Sequence, residues 1–156
     1  MQEKEKGARL LSGVRVLEIT DEMGQYCGKM LADLGAEVIK IEKPGGDPSR
    51  RIGPFYKDTP SLEGSLRWWY HNTSKKSITL NLETSDGLEI FRKLVKGVDV
   101  VLETPEPGKA EGAGLGYEAL TGINPRLVLS CITGFGLKGP YSGYRTSNLV
   151  GLGMGE

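Results

Sequence analysis

Apolar and polar positions along this chain fall into blocks whose period changes, and each change marks an element. Val14–Ile19 is a short apolar run with a turn signal on each side, which predicts a buried strand. Met23, Cys27, Met30, Leu31 and Leu34 then recur at the spacing of one helical face, and Gly35 stands where a glycine ends a helix. Over Glu37–Glu42, Val38, Ile39 and Ile41 interleave with charged residues, which predicts a second strand. The connections are short, so these elements predict a β-α-β unit with a parallel pair and a right-handed crossover.

The pattern repeats downstream. A loop rich in Gly and Pro covers Lys43–Pro60, and Leu62–Tyr70 predicts a short helix carrying Trp68 and Trp69. Ser77–Leu80 reads as a third strand. Thr84 or Ser85 caps a helix with Asp86 in its first turn, Leu88, Phe91, Leu94 and Val95 on its apolar side, and Gly97 at its end. Val98–Leu102 is a fourth strand, Tyr117–Gly122 a brief helix, Leu127–Ile132 a fifth strand, and a further helix starts near Ser147. The expected fold is α/β: an open, mostly parallel, Rossmann-like sheet with helices on both faces. Residues 1–10 are expected to be a flexible tail, and 11–156 one continuous unit.

Composition narrows the function classes. Lys plus Arg and Asp plus Glu are 20 each, which disfavours a nucleic-acid binder. No apolar run approaches the ~18 residues of a membrane span, and the start is not a signal peptide, so a cytoplasmic protein is expected. Cys27 and Cys131 lack metal-ligand spacing and sit in apolar contexts, which predicts reduced, buried thiols. Glycine is the outlier, with 23 in 156 residues, crowded into 108–116 and 134–155. Such clusters suit loops whose backbone closely approaches something.

The candidate chemistry is mostly cationic. The first β-α turn, Thr20 to Gly28, lacks G-x-G-x-x-G and places Asp21 and Glu22 where a pyrophosphate would come, so NAD or FAD is not expected. No P-loop is present. His71 is the only histidine, which rules out a His-rich metal site, and beside two tryptophans it reads as a packing or surface residue. Lys43, Arg50, Arg51, Lys75, Lys76, Lys138 and Arg145 are expected in loops at the carboxyl ends of strands, where open α/β sheets bind ligands. Together they would suit a polyphosphate; singly, each also reads as a solvated loop charge.

LADLGAEVIKIEKPGGDPSRR (Leu31–Arg51) closely resembles the family III CoA-transferases, which include formyl-CoA transferase, carnitine CoA-transferase and α-methylacyl-CoA racemase. LSGVRVLEIT (Leu11–Thr20), NTSKKSITLNL (Asn72–Leu82), VDVVLETPEPG (Val98–Gly108) and GLGYEALTGINPRLVLSCITGFGLKGPY (Gly114–Tyr141) are similar to further family segments in the same order. The resemblance implies coenzyme A or acyl-CoA as substrate, a small carboxylic acid as acceptor, and no metal or NAD. It also implies two chains threaded as interlocked rings, and an aspartate that attacks the thioester. On the same basis Lys43, Lys75 and Arg145 are assigned to the CoA phosphates, and Thr104 and Pro105 to the element lying against CoA.

The departures from the family pattern matter as much. The nucleophilic Asp would lie beyond Glu156, so no catalytic residue is assigned within this sequence. An earlier family Asp falls at Asn148 and a CoA-contacting Arg at Gly112, and His71 lies outside the racemase motif. The chain therefore reads as the N-terminal portion of a CoA-transferase large domain, incomplete relative to the family fold and expected to be inactive alone. A fragment of a longer chain, a degenerate subunit paired with a catalytic homo- or hetero-oligomeric partner, and a truncated product all remain open. A non-catalytic structural subunit is the alternative function, and an NAD-linked oxidoreductase the remote one.

Overall fold

The structure, a computed structural model, describes residues 9–105 and 114–154. Five strands form one sheet: β1 (Arg15–Ile19), β2 (Glu37–Glu42), β3 (Lys76–Thr79), β4 (Val100–Glu103) and β5 (Val128–Cys131). Their order is β3-β2-β1-β4-β5, and every neighbouring pair is parallel. The described helices are α1 (Glu22–Asp33), α2 (Leu66–Asn72), α3 (Ser85–Val95), α4 (Tyr117–Ile123) and α5 (Asn148–Met154). The expected α/β architecture is thus the one observed.

Alternation along the strands sorts side chains to two faces. Leu17, Ile41 and Val101 pack under Phe91 and Val95 of α3 and Leu120 of α4. Val16, Val38 and Leu102 pack on the other face with Ala32 of α1. The caps follow the sequence. Thr84 accepts from Gly87 N at the start of α3, and Gly35, at φ +109°, closes α1 with its N–H on Ala32 O while Ala36 N–H reaches Leu31 O. α2 starts at Leu66, later than expected, because Ser65 Oγ accepts from Trp68 N at 3.1 Å and fixes the first turn there.

The buried face of α1 is not the expected one. Met23, Met30 and Leu34 are 44%, 43% and 40% exposed, and Cys27 is exposed as well. Gly24, Gln25, Gly28 and Ala32 face the sheet instead. The cause is the polar content of β1: a Cβ at Gly28 would lie 1.8 Å from Glu18 Oε2, so only a residue without a side chain fits there. The buried thiol expected at Cys27 is corrected accordingly, and Cys131 is only half-buried, its Sγ donating to Glu103 Oε1 at 3.1 Å.

Candidate functional site at the carboxyl edge of the sheet

Strand order sets the geometry of the site. The chain runs β1, β2, β3 toward one side and then crosses over to β4 and β5 on the other. The β1/β4 junction is therefore the switch point where such sheets open a crevice. Thr104 closes that junction: its N–H meets Ile19 O at 3.3 Å and its Oγ1 accepts from Asp21 N at 2.8 Å. Asp21 in turn caps α1 by accepting from Met23 N.

Two clefts open near the end of β1, on the β2 side and beside the start of α1. The smaller, about 300 Å³, lies past β1, β2 and β3 and is lined by Ile19, Ile41, Lys43, Pro44, Leu80 and Asn81. The larger, about 1030 Å³, lies between the start of α1, the turn at Pro48–Arg51, α2 and α5; Glu22, Ser49, Arg67, His71, Thr146 and Leu152 are among its walls.

Beneath them, on the α1 face, runs a buried charged network. Lys40 and Lys75 side chains are 1% and 2% exposed and meet Glu18, which is fully buried. Lys75 Nζ lies 2.7 Å from Glu18 Oε2 and also donates to Gln25 O and Asn72 Oδ1. Lys40 Nζ reaches Thr20 O at 2.6 Å, Glu18 Oε1 at 3.3 Å and Asp47 Oδ2 at 3.3 Å. Beside it Arg50 grips Glu42 with two bonds, 2.6 and 2.8 Å, while its guanidinium stacks 3.9 Å from the Trp68 ring. The network pins the loop after β2 to α1, α2 and the sheet.

Burial would push the Glu42 carboxyl up, but bonds from Arg50, Ser77 and the Asp47 N–H, with the Arg50 charge, outweigh it and hold it at about 2. The folded value is below the ordinary 4.5, so this contribution is full above that pH and is lost as pH falls toward about 2. Glu42→Gln should therefore flatten the fall in urea midpoint over that acid window. An unchanged slope would show that the clamp does not form.

The residues assigned from sequence are dispersed by the fold. Lys43 is exposed and lines the smaller cleft. Thr104 and Pro105 sit half-buried at the switch point. Arg145 is exposed, next in sequence to Thr146 of the larger cleft. Lys75 is turned inward onto Glu18. Lys75 and Lys76 lie at the amino end of β3, not at a carboxyl end, and Lys76 pairs with Glu37. Arg50 and Arg51 are likewise engaged, with Glu42 and with Gly45 O. Gly112 and the Asn148 side chain lie outside the described residues. The network's carboxylates and Arg67 were not anticipated. A signal for the former existed: Glu18 and Lys40 sit mid-strand in a sheet expected to be covered on both faces, where charges must pair across strands.

An open parallel sheet with clefts at its carboxyl edge defines the Rossmann-like class of α/β proteins. The chain belongs to CoA-transferase family III, whose sequence profile matches residues 11–155. It is 44% identical over 139 residues to the succinyl-CoA:(R)-benzylsuccinate CoA-transferase subunit BbsE of Thauera aromatica, covering 89% of this chain and 34% of that one. It is 43% identical over 150 residues to the succinyl-CoA–D-citramalate CoA-transferase of Chloroflexus aurantiacus, covering 94% and 36%. A crystal structure of a CAIB/BAIF family protein from Brucella suis superposes with a TM-score of 0.85 at 37% identity, over 94% of this chain and 39% of that one. The chain thus spans about a third of the length of these curated relatives. Among the described residues no helix is long and apolar enough to cross a membrane, and no cluster of His, Cys, Asp and Glu could hold a metal.

Proposed function

We propose that this chain is the front part of the large domain of a family III CoA-transferase and holds coenzyme A or its acyl thioester at the carboxyl edge of the sheet. The observation that carries this reading is Lys43, a solvent-facing ammonium on the wall of a cleft formed by the ends of three parallel strands. It would pair with a CoA phosphate, with Arg145 as a second cation; Thr104 and Pro105 would flank the ligand at the switch point. Lys75 would act only indirectly, since Glu18 holds it.

The acids exchanged are proposed to be dicarboxylic, because both named relatives pair succinyl-CoA with a second dicarboxylic acid. The reaction would split one transfer into easier steps: an aspartate attacks the thioester and expels CoA thiolate, the thiolate attacks the aspartyl carbonyl of the mixed anhydride and releases the first acid, and the acceptor carboxylate then runs the same two steps in reverse on the aspartyl-CoA thioester to leave as the new acyl-CoA. That aspartate is proposed to come from outside these 156 residues, in the same protein or in a partner of the family. Among the described residues Glu18, Glu42 and Asp47 are already held by Lys40, Lys75 and Arg50.

Calorimetric titration with CoA tests the site. Lys43→Glu should weaken binding about tenfold, the scale of one charge-assisted contact, and Arg145→Glu by less. Unchanged affinity in Lys43→Glu would overturn the assignment. Rapid transfer from succinyl-CoA to an acid by the 156-residue chain alone would overturn the external nucleophile. A second reading, a structural subunit without a CoA site, is favoured by the burial of Lys75. It predicts no thermal shift with millimolar CoA.

A further inference from the structure

The larger cleft carries a feature that the CoA site leaves unused. Arg67, on α2, is 43% exposed and ion-paired with Glu22 of α1, itself 37% exposed. Among the described residues lining this cleft, Arg67 is the only guanidinium or ammonium. The other carboxylates in its walls already have partners: Asp21 caps α1, and Asp47 faces Lys40 and accepts from Ser49. Met23, Ile52 and Leu152 make part of the wall apolar. The cleft thus offers one planar cation beside a hydrocarbon surface, and a carboxylate already occupies that cation.

We infer that Arg67 is the seat for the distal carboxylate of the dicarboxylic acid, and that Glu22 holds the seat until the acid displaces it. A guanidinium takes a carboxylate with two parallel bonds, which fixes the orientation of the acid as well as its charge. Displacing Glu22 is cheap. An ion pair this exposed to water is weak, and in the first turn of α1 the released carboxylate remains favoured by the helix N-terminus. The four-carbon chain of succinate would lie along Met23 and Ile52, leaving its other carboxylate as the reacting end. An acid with one carboxylate would gain the apolar contact and not the seat. This inference rests on the dicarboxylic reading above and adds the residue that selects for it.

The test is titration of the 156-residue chain with succinate and with butyrate, alongside CoA. The wild type should bind succinate about tenfold more tightly than butyrate. Arg67→Gln should erase that preference, and Arg67→Lys should keep part of it. Glu22→Gln should tighten succinate several-fold, because it removes the competing carboxylate; an ion pair with a merely structural role would give no gain. Equal affinity for the two acids, a preference that survives Arg67→Gln, or weaker succinate binding in Glu22→Gln would each overturn the inference. The CoA titration separates the two readings. CoA binding without succinate preference counts against Arg67 alone, and succinate preference without CoA binding counts against the Lys43 cleft alone.

Discussion

Glu18→Gln is expected to destabilise the fold by about 3–5 kcal/mol, the scale for removing one partner of a buried ion pair. The substitution preserves shape and removes only charge. In the native network Glu18 and Asp47 balance Lys40 and Lys75. Glu18 Oε1 also accepts from Thr20 Oγ1 at 2.7 Å. Without the carboxylate, two buried ammoniums share Asp47, and an amide faces Lys75. Urea denaturation measures the loss. A deficit under about 1 kcal/mol, the range of an exposed pair, would show that water reaches the network.

The pH dependence of that deficit is a sharper check. Burial pushes the Lys75 ammonium below its ordinary 10.5, with Glu18 opposing the shift. A folded value below the unfolded one means that the unfolded chain binds more protons between the two, so stability rises with pH in that window. Glu18→Gln removes the opposing charge and widens the window downward. The deficit should therefore shrink on the alkaline side, and Lys75→Met in the same chain should recover part of it at neutral pH.

Gly87→Ala, at the one glycine of α3, is expected to destabilise the fold. Its new Cβ would lie 1.7 Å from the backbone oxygen of Asn81, which cannot rotate away as a side chain could. Alanine normally favours a helix interior by about 0.8–1 kcal/mol over glycine. Here overpacking reverses the sign, at about 1–3 kcal/mol or more. Because Asn81 lines the same cleft as Lys43, the site proposed for CoA, affinity there should fall with stability. Gly122, in α4, has nothing within 4 Å of its would-be Cβ. Gly122→Ala should leave stability unchanged or slightly raised, and a similar loss at both positions would show that the close approach at Asn81 is not the cause.

Much of the fold was legible because periodicity reports burial. The five strands, the order of helices between them, the Thr84 cap and the Gly35 terminus all follow from local pattern and local stereochemistry. The face of α1 was not legible for the same reason. Met23, Cys27, Met30 and Leu34 form a convincing apolar stripe, yet the helix buries Gly24, Gln25, Gly28 and Ala32. Helical periodicity assumes an apolar surface to pack on, and β1 presents Glu18 there, followed by Thr20 just past its end. The assignments at the site divide similarly: Lys43 reaches a cleft, whereas Lys75, identical in chemistry, is consumed by a carboxylate 57 residues away in sequence.

The sequence alone therefore determined the elements, the parallel α/β class and the family resemblance, all of which rest on residues near one another in the chain or on segments in fixed order. Only the tertiary structure decided which charges are available to a ligand. Parallel pairing sets Glu18 beside Lys40, and Lys40 beside Ser77. The helices then close over these positions and exclude water, where a charge holds only if an opposite charge reaches it. That requirement draws Lys75, Lys40 and Arg50 inward and leaves Lys43 and Arg67 at the clefts.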